Sequence, residues 1–180
     1  MPGAYTVQLH IGDKLIASQT FTIKKDPRLV DVSQNDLVAQ FELIQTINAK
    51  LDTTHKAINK IRKATEEMKS LVDKIEDNKE LNNRLKKVAI TISEIEQQLV
   101  QTNAEAIQDV LNFPIRLNNK LAALKNTVAV GYGKPTAQQY AVFEDLATKV
   151  DVQLNKLETL WNGDYEQVIQ EIEQPAIPIE

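Results

Sequence analysis

Hydrophobic residues between Asp36 and about Asp77 recur three and four positions apart, as they do along one face of a long α-helix. Most heptad positions are apolar and no Gly or Pro interrupts them: Leu37, Gln40, Ile44, Ile47, Leu51, Thr54, Ile58, Ile61, Thr65, Met68, Val72 and Ile75. At about 1.5 Å per residue, the run predicts one helix of roughly 60 Å. A hydrophobic face this long requires partner helices.

Three further helical patterns follow. The core-facing positions of the second helix are Leu81, Leu85, Val88, Ile92, Ile95, Leu99, Thr102 and Ala106. Those of the third are Leu117, Leu121, Leu124 and Val128, and those of the fourth are Phe143, Leu146, Val150, Leu154, Leu157 and Trp161. The polar segment 76–80 separates the first two helices, and the Gly- and Pro-containing segment 131–135 ends the third. Short connections between long helices predict antiparallel neighbours.

The helix ends carry recognisable signals. Ser33 with Asp36, and Thr136 with Gln139, are spaced as capping boxes. Asn112 and Pro114 predict the start of the third helix, although a continuation of the second helix kinked at Pro114 is an alternative. We expect the fourth helix to end at Gly163, before a short helix from about 165 to 172.

The first 25 residues alternate as a β-hairpin does, with Tyr5, Val7, Leu9 and Ile11 on one face of the first strand. The return strand carries an apolar face made of Leu15, Ala17, Phe21 and Ile23. A loop of about three residues, or a bulge, would place the apolar faces of both strands together by pairing Ile11 with Leu15 and Tyr5 with Phe21, and we favour the longer loop. A two-stranded hairpin is marginal in water. The hairpin is therefore expected to end a larger sheet, with capping of the helical bundle as the alternative.

These patterns predict a mainly α protein: an antiparallel bundle of about four helices with a long first helix, preceded by a β-hairpin. The expected organisation is a hairpin over 1–25, a linker over 26–35, a helical bundle over 36–173 and an extended tail over 174–180. Lys24 to Arg28, with Pro27, breaks the strand pattern and marks the joint.

Composition narrows the function classes. The absence of Cys excludes disulfides and thiolate chemistry, and a net charge of −4 gives no overall field that attracts nucleic acid. No apolar run reaches the roughly 20 residues that would predict membrane insertion. His10 and His55 have no companions at metal-ligand spacing. The residues alone thus suggest no catalytic group, metal or cofactor.

Two kinds of segment resemble known families. Residues 2–9 (PGAYTVQL) and the following Gly-Asp-Lys look like the closing strands of an immunoglobulin-like or fibronectin type III-like module. Residues 111–124 (LNFPIRLNNKLAAL), with 135–140 (PTAQQY) and 142–146 (VFEDL), are similar to the C-terminal end of bacterial proteins labelled glycosyl hydrolases, or Asp-box (sialidase-like repeat) or sortilin-like β-propeller proteins.

The resemblance implies that this chain is the terminal part of such a protein, beginning inside a β-sandwich that follows the propeller. It implies an exported protein, periplasmic or secreted, and a non-catalytic accessory domain whose partners are the propeller and sandwich domains. No catalytic residue is carried over, because the propeller has no counterpart here.

Arg116, Asn119 and Lys120 are the polar residues of the most recognisable motif. If 116–120 is helical, these side chains share one side and form a candidate docking surface. Hydrogen bonding to neighbouring helices is the structural alternative. Two other functions stay open: a self-standing coiled-coil adaptor that binds another helical protein, and a domain that helps a hydrolase act on glycans, for which Trp161 and Tyr165 are the candidate platform.

Overall fold

The computed structural model describes residues 1–75 and 77–173 and is mainly helical. Its elements are two strands, β1 (Gly3–Ile11) and β2 (Lys14–Ile23), and five helices, α1 (Gln34–Leu71), α2 (Lys79–Leu99), α3 (Leu117–Ala129), α4 (Ala137–Leu160) and α5 (Glu166–Glu173). The predicted fold class, a helical bundle with a long first helix after a hairpin, is confirmed. The predicted tail at 174–180 lies outside the described residues.

Helix α1 begins at Gln34, two residues before the predicted start, because its cap lies at Ser33. The Ser33 hydroxyl accepts the Asp36 backbone N–H at 3.1 Å, and the Asp36 carboxylate accepts the Ser33 backbone N–H at 2.9 Å. The predicted capping box is therefore present. The one at Thr136 and Gln139, which starts α4, is confirmed in the same way.

Helix α1 buries a wider face than the heptad pattern predicted. Among the heptad positions, Gln40, Ile44 and Thr65 are half-buried and Val72 is 41% exposed. Buried residues outside the heptad set extend the face: Leu43, Ala57, Ala64 and Leu71. The face is wide because α1 contacts α2, α3 and α4 along its length.

Helices α2 and α3 run antiparallel to α1 and cover different halves of it. Arg62 Nε of α1 lies 3.2 Å from Glu96 Oε1 of α2, towards the C-terminal end of α1. Gln40 Nε2, near the beginning of α1, donates to the backbone oxygen of Val128, near the end of α3, at 2.7 Å. Helices α2 and α3 thus lie end to end along α1, and together we call them the middle rod.

Helix α4 runs parallel to α1. Lys50 Nζ lies 2.7 Å from Asp151 Oδ1, and further along α1 Lys60 Nζ lies 3.7 Å from the ring centroid of Trp161, the residue that follows the end of α4. The four long helices therefore form three rods around one core, in which Ile47, Leu121, Val150, Ile61 and Leu99 are fully buried. Close packing makes such positions sensitive to the loss of even one methylene.

The predicted extent of α2 is wrong, because the helix ends at Leu99 and Thr102 and Ala106 lie beyond it. Val100 has extended backbone angles of −137° and 150°. The following loop is held by side chains instead: Asp109 Oδ2 accepts the N–H groups of Glu105 and Ala106, both at 2.8 Å. Such local bonds offer the backbone an alternative to helix.

The third helix is separate from the second, as predicted, but its predicted start at Asn112 and Pro114 is wrong, and so is the alternative of a helix kinked at Pro114. A short 3₁₀ helix over Ile107–Leu111 ends at Asn112, and α3 begins at Leu117 with Arg116 at the N-cap position. Pro114 lies in the loop between them, and its backbone oxygen accepts Gln101 Nε2 at 2.9 Å. The middle rod is therefore interrupted over 100–116 rather than kinked.

Gly163 does not end the fourth helix, contrary to the prediction. A π-helical turn, Trp161–Tyr165, connects α4 directly to α5. Gly163 does not adopt the positive φ that a helix-ending glycine uses, unlike Gly131 at φ 83°, which follows the end of α3. The wider turn lets the rod continue and stacks the rings of Trp161 and Tyr165 at 4.2 Å.

The hairpin has a two-residue turn and a bulge, so the favoured three-residue loop is wrong. Gly12 and Asp13 form the turn, with φ +57° at Gly12 and Ile11 paired with Lys14. The register shifts between Leu9 and His10, which restores the predicted pairing of Tyr5 with Phe21. The predicted pairing of Ile11 with Leu15 is wrong, because Leu15 lies opposite His10.

Candidate functional site

The hairpin exposes an apolar face that no other described element covers. Cross-strand pairing places one set of apolar residues on the same side as Gln19, which lies opposite Val7, and Lys14, which lies opposite Ile11. The apolar residues of this side are Tyr5, Val7, Leu9, Ile11, Ala17, Phe21 and Ile23. We call this set the hairpin face. Every residue of both strands is exposed, with Val7 at 57% and Leu9 at 58%. The opposite face is mostly polar, as the Thr6–Thr20 and Gln8–Ser18 pairs show. The hairpin therefore does not cap the bundle with its apolar side.

The edges of the hairpin are also unprotected. Residues 3–11 contain no Lys, Arg, Asp or Glu, and in β2 only Lys14, beside the turn, is charged. Among residues 1–75 and 77–173, no further strand pairs with either outer edge of this two-stranded sheet. Natural proteins usually protect free edges with charges, prolines or bulges, and the one bulge here lies near the turn. The central part of each edge is thus suited to pair with another strand.

The hairpin base meets the bundle at a groove of about 410 Å³. Pro2 and Ile23 contribute from the hairpin, Phe41 from α1 and Tyr132 from the loop before α4. Nearby, Gln34 Nε2 donates to the Pro2 backbone oxygen at 3.2 Å. The linker is fixed in part by Lys25, whose Nζ donates to the Val32 backbone oxygen at 2.6 Å. The groove positions the hairpin and takes in Ile23, but the rest of the hairpin face does not line it.

The structure separates the three predicted docking residues. Arg116 and Lys120 line one surface cavity, whereas Asn119 is exposed and does not line it. Arg116 lies at the N-cap position rather than inside the helix, so the shared helical side that the sequence suggested is not formed. Lys149 of α4 also lines the cavity. Sequence reasoning missed Lys149 because it is 29 positions from Lys120 and carries no motif of its own.

The aromatic pair proposed as a glycan platform is engaged within the bundle. Trp161 stacks on Tyr165, and Lys60 Nζ lies over the Trp161 ring. The hydroxyl of Tyr165 donates to Glu67 Oε2, and burial together with this carboxylate raises the pKa of Tyr165 above its ordinary value. These contacts join α1 to the π-helical turn. Both rings are thus engaged in contacts within the chain.

The aspartates whose pKa is lowered lie in separate local turns and do not form a shared site. Hydrogen bonds from Ser33 lower the pKa of Asp36, and bonds from the Ala106 and Glu105 amides lower that of Asp109.

Within the described part of the chain, no three His, Asp or Glu side chains come together in a way that could hold a metal ion. Over residues 1–75 and 77–173, no helix has both the length and the apolar character needed to cross a membrane.

Comparison with protein-family models, with curated proteins and with solved structures gave no match for this chain.

Proposed function

We propose that this chain is a non-catalytic accessory domain of a β-propeller protein of the Asp-box, sortilin-like or glycosyl hydrolase-labelled type. In this proposal the hairpin completes a β-sandwich, and the helical bundle serves as a spacer or docking arm. The proposal rests on the motifs of 2–14 and 111–146 and on one structural observation, the uncovered hairpin face, whose edges carry no charge except Lys14 beside the turn.

The hairpin face is the observation that carries the proposal. Tyr5, Val7, Leu9, Phe21 and Ile23 are each between 36% and 58% exposed. Covering a Val, Leu, Ile or Phe side chain completely contributes about 1.5–3 kcal/mol, so removing the remaining exposure would contribute about 1 kcal/mol per residue. A second β-sheet packed at about 10 Å supplies such cover, and strands added at the edges pair the free backbone groups.

The bundle supports a mechanical role. Three rods with one continuous core give a rigid element, and α1 spans 38 residues, or about 57 Å at 1.5 Å per residue. Its hydrogen bonds and ion pairs to the other rods fix its position. We expect the arm to hold whatever docks on it at a constant distance from the sheet.

The coiled-coil adaptor hypothesis receives less support. An adaptor needs a free heptad face, but Ile47, Leu51, Ile58, Ile61 and Met68 of α1 are at most 8% exposed within the single chain. These positions already pack against the other rods. We therefore expect a monomeric bundle whose association, if any, uses the hairpin.

The first experiment is to sequence the gene immediately upstream of the Met1 codon. The proposal predicts that the reading frame continues into sandwich strands and Asp-box repeats. An in-frame stop codon followed by a ribosome-binding site would contradict it and favour the adaptor.

A second experiment tests the hairpin face directly. The upstream sandwich strands are expressed separately and titrated with this chain, carrying either Val7→Lys or the neighbouring Thr6→Lys. Val7 belongs to the hairpin face and Thr6 to the opposite one, so the two variants carry the same added charge. Because an unpaired buried charge is costly, we expect at least a hundredfold weaker binding for Val7→Lys and little change for Thr6→Lys. Equal effects would show that this face is not the contact.

A further inference from the structure

The interruption of the middle rod leaves a surface cavity of about 400 Å³ between the end of α2, the beginning of α3 and the middle of α4. We call it the break cavity. Arg116, Lys120 and Lys149 all line it, and no acidic residue is found among its nine lining residues. Three cations without a lining carboxylate are unusual in a chain with a net charge of −4. The local charge therefore favours an anion.

Arg116 adds a second, independent observation. Its Nε is buried and has no hydrogen-bond partner among the described residues. A buried donor that has left water without gaining a partner is costly, and a bound oxyanion is one way to satisfy it. Arginine and phosphate are well matched in geometry, because the planar guanidinium can donate two parallel hydrogen bonds.

Other side chains around the break cavity also favour the binding of an anion. Lys149 Nζ lies 2.6 Å from Asp145 Oδ2 on the same helix, and both side chains are 58% exposed. An exposed pair of this kind is weak, and the ammonium keeps further donors available. Gln98 and Gln153 bring side-chain amides to the same cavity. The volume lies in the range of small-molecule sites, so it has room for more than one phosphate group.

We propose that the break cavity binds a phosphate group, free or as the ester of a sugar-sized molecule, through Arg116, Lys120 and Lys149. This proposal is independent of the role assigned to the hairpin. Lysines supply charge from two rods, α3 and α4, and Arg116 supplies the partly buried donor between them. Binding would therefore connect the middle rod to α4 at the point where the rod is interrupted.

The test is an NMR titration of the ¹⁵N-labelled full chain with sodium phosphate at pH 8, against sodium chloride of equal ionic strength. We expect saturable shifts at the backbone amides of Gln98, Lys120 and Lys149 that fit one site. Lys120→Gln and Lys149→Gln should each weaken binding about tenfold, the loss expected for one charge-assisted hydrogen bond. Lys86→Gln, an equal charge change at an exposed α2 position outside the cavity, should leave binding unchanged.

A parallel titration with glucose 6-phosphate and with glucose separates the two sources of phosphate. Tighter binding of the ester than of inorganic phosphate would assign the site to a phosphorylated small molecule, and equal binding would assign it to the free ion. Far-UV circular dichroism of each variant confirms that the fold is kept. Shifts that do not saturate, or that the Lys86 variant reduces equally, would overturn the proposal. The three cations would then only balance the carbonyl end of α2.

Discussion

A pair of identical substitutions, Leu9→Ala and Leu121→Ala, separates the hairpin face from the bundle core. Leu9 belongs to the hairpin face and is 58% exposed, whereas Leu121 of α3 is 0% exposed. The chemical change is the same at both positions. Any difference in the free energy of unfolding therefore reports how completely each side chain is packed in the folded chain.

The expected difference follows from burial. Leu→Ala removes three carbon atoms, which contribute about 2.4 kcal/mol when fully buried at about 0.8 kcal/mol per CH₂. At Leu121 the remaining cavity adds to this, and we expect a loss of about 3 kcal/mol. At Leu9 less than half of the side chain is buried, so we expect a loss of about 1 kcal/mol at most.

Urea unfolding followed by circular dichroism at 222 nm measures both losses, since an unchanged slope with denaturant shows that the unfolding transition is comparable. Each variant is measured at two protein concentrations tenfold apart. A loss near 3 kcal/mol for Leu9→Ala would refute the reasoning, because the hairpin face would then be packed in the isolated chain. A concentration-dependent loss would locate that packing between two copies.

Three further predictions concern the bundle. Ser33→Ala removes the cap of α1 and should cost about 1 kcal/mol in urea unfolding. The hydrogen bonds from Ser33 lower the pKa of Asp36 in the folded chain, so this carboxylate stabilises the wild type above the ordinary aspartate pKa, and the stabilisation is lost as pH falls through the lowered pKa. The variant should therefore lose less stability than the wild type on acidification. Tyr165→Phe removes the hydrogen bond to Glu67 and should cost about 1 kcal/mol at pH 7. Because the folded-state pKa of Tyr165 is raised, its contribution is present below about pH 10 and lost above it, so the variant should show a weaker alkaline loss of stability in the same assay. Thr54→Val, at a fully buried position whose hydroxyl bonds only within its own helix, should change stability by less than about 1 kcal/mol in thermal unfolding, and a larger loss would indicate an interaction across the core.

The sequence predicted best the features that depend on nearby residues. The capping boxes at Ser33 and Thr136 are formed as expected, because both partners lie within one turn of helix. The α3 positions Leu117, Leu121, Leu124 and Val128 are all buried for a similar reason, since their spacing alone places them on one face. Local chemistry was sufficient in these cases.

The errors arose where distant contacts or local alternatives competed with the pattern. Thr102 and Ala106 continued the spacing of α2, but Asp109 holds the following backbone in a loop. Gly163 suggested a helix end, but the chain continues through a π-helical turn. In this turn Trp161 stacks on Tyr165 and contacts Lys60 of α1. A single sequence does not reveal the contact between Lys60 and Trp161, because these two residues are separated by about 100 positions. The contacts of Asp109 and of Tyr165 with Trp161 are local, but they compete with a hydrophobic spacing or a glycine signal that predicts a different structure.

The candidate sites divide in the same way. The hairpin face was predictable, because a period of two residues needs only the strand itself. The break cavity was not, because it depends on where the middle rod is interrupted and on Lys149, which only the folded bundle brings near Lys120. The motif over 111–124 therefore pointed to Arg116 and Lys120, which do line one cavity, but the helical side that they were expected to share with Asn119 is not formed.

The distribution of buried surface leads to one more conclusion about where partners should be sought. The helices pack their hydrophobic faces against one another within the chain. The wide buried face of α1 in particular contacts three neighbouring helices. The hairpin buries none of its residues, and its two edges carry no charge except Lys14 beside the turn. Large hydrophobic side chains are also exposed elsewhere, among them Ile90, Leu111 and Val130, but the hairpin places several of them on one side of an element that is marginal by itself. A partner should therefore contact the hairpin, with the bundle setting the distance to anything bound further along the rods.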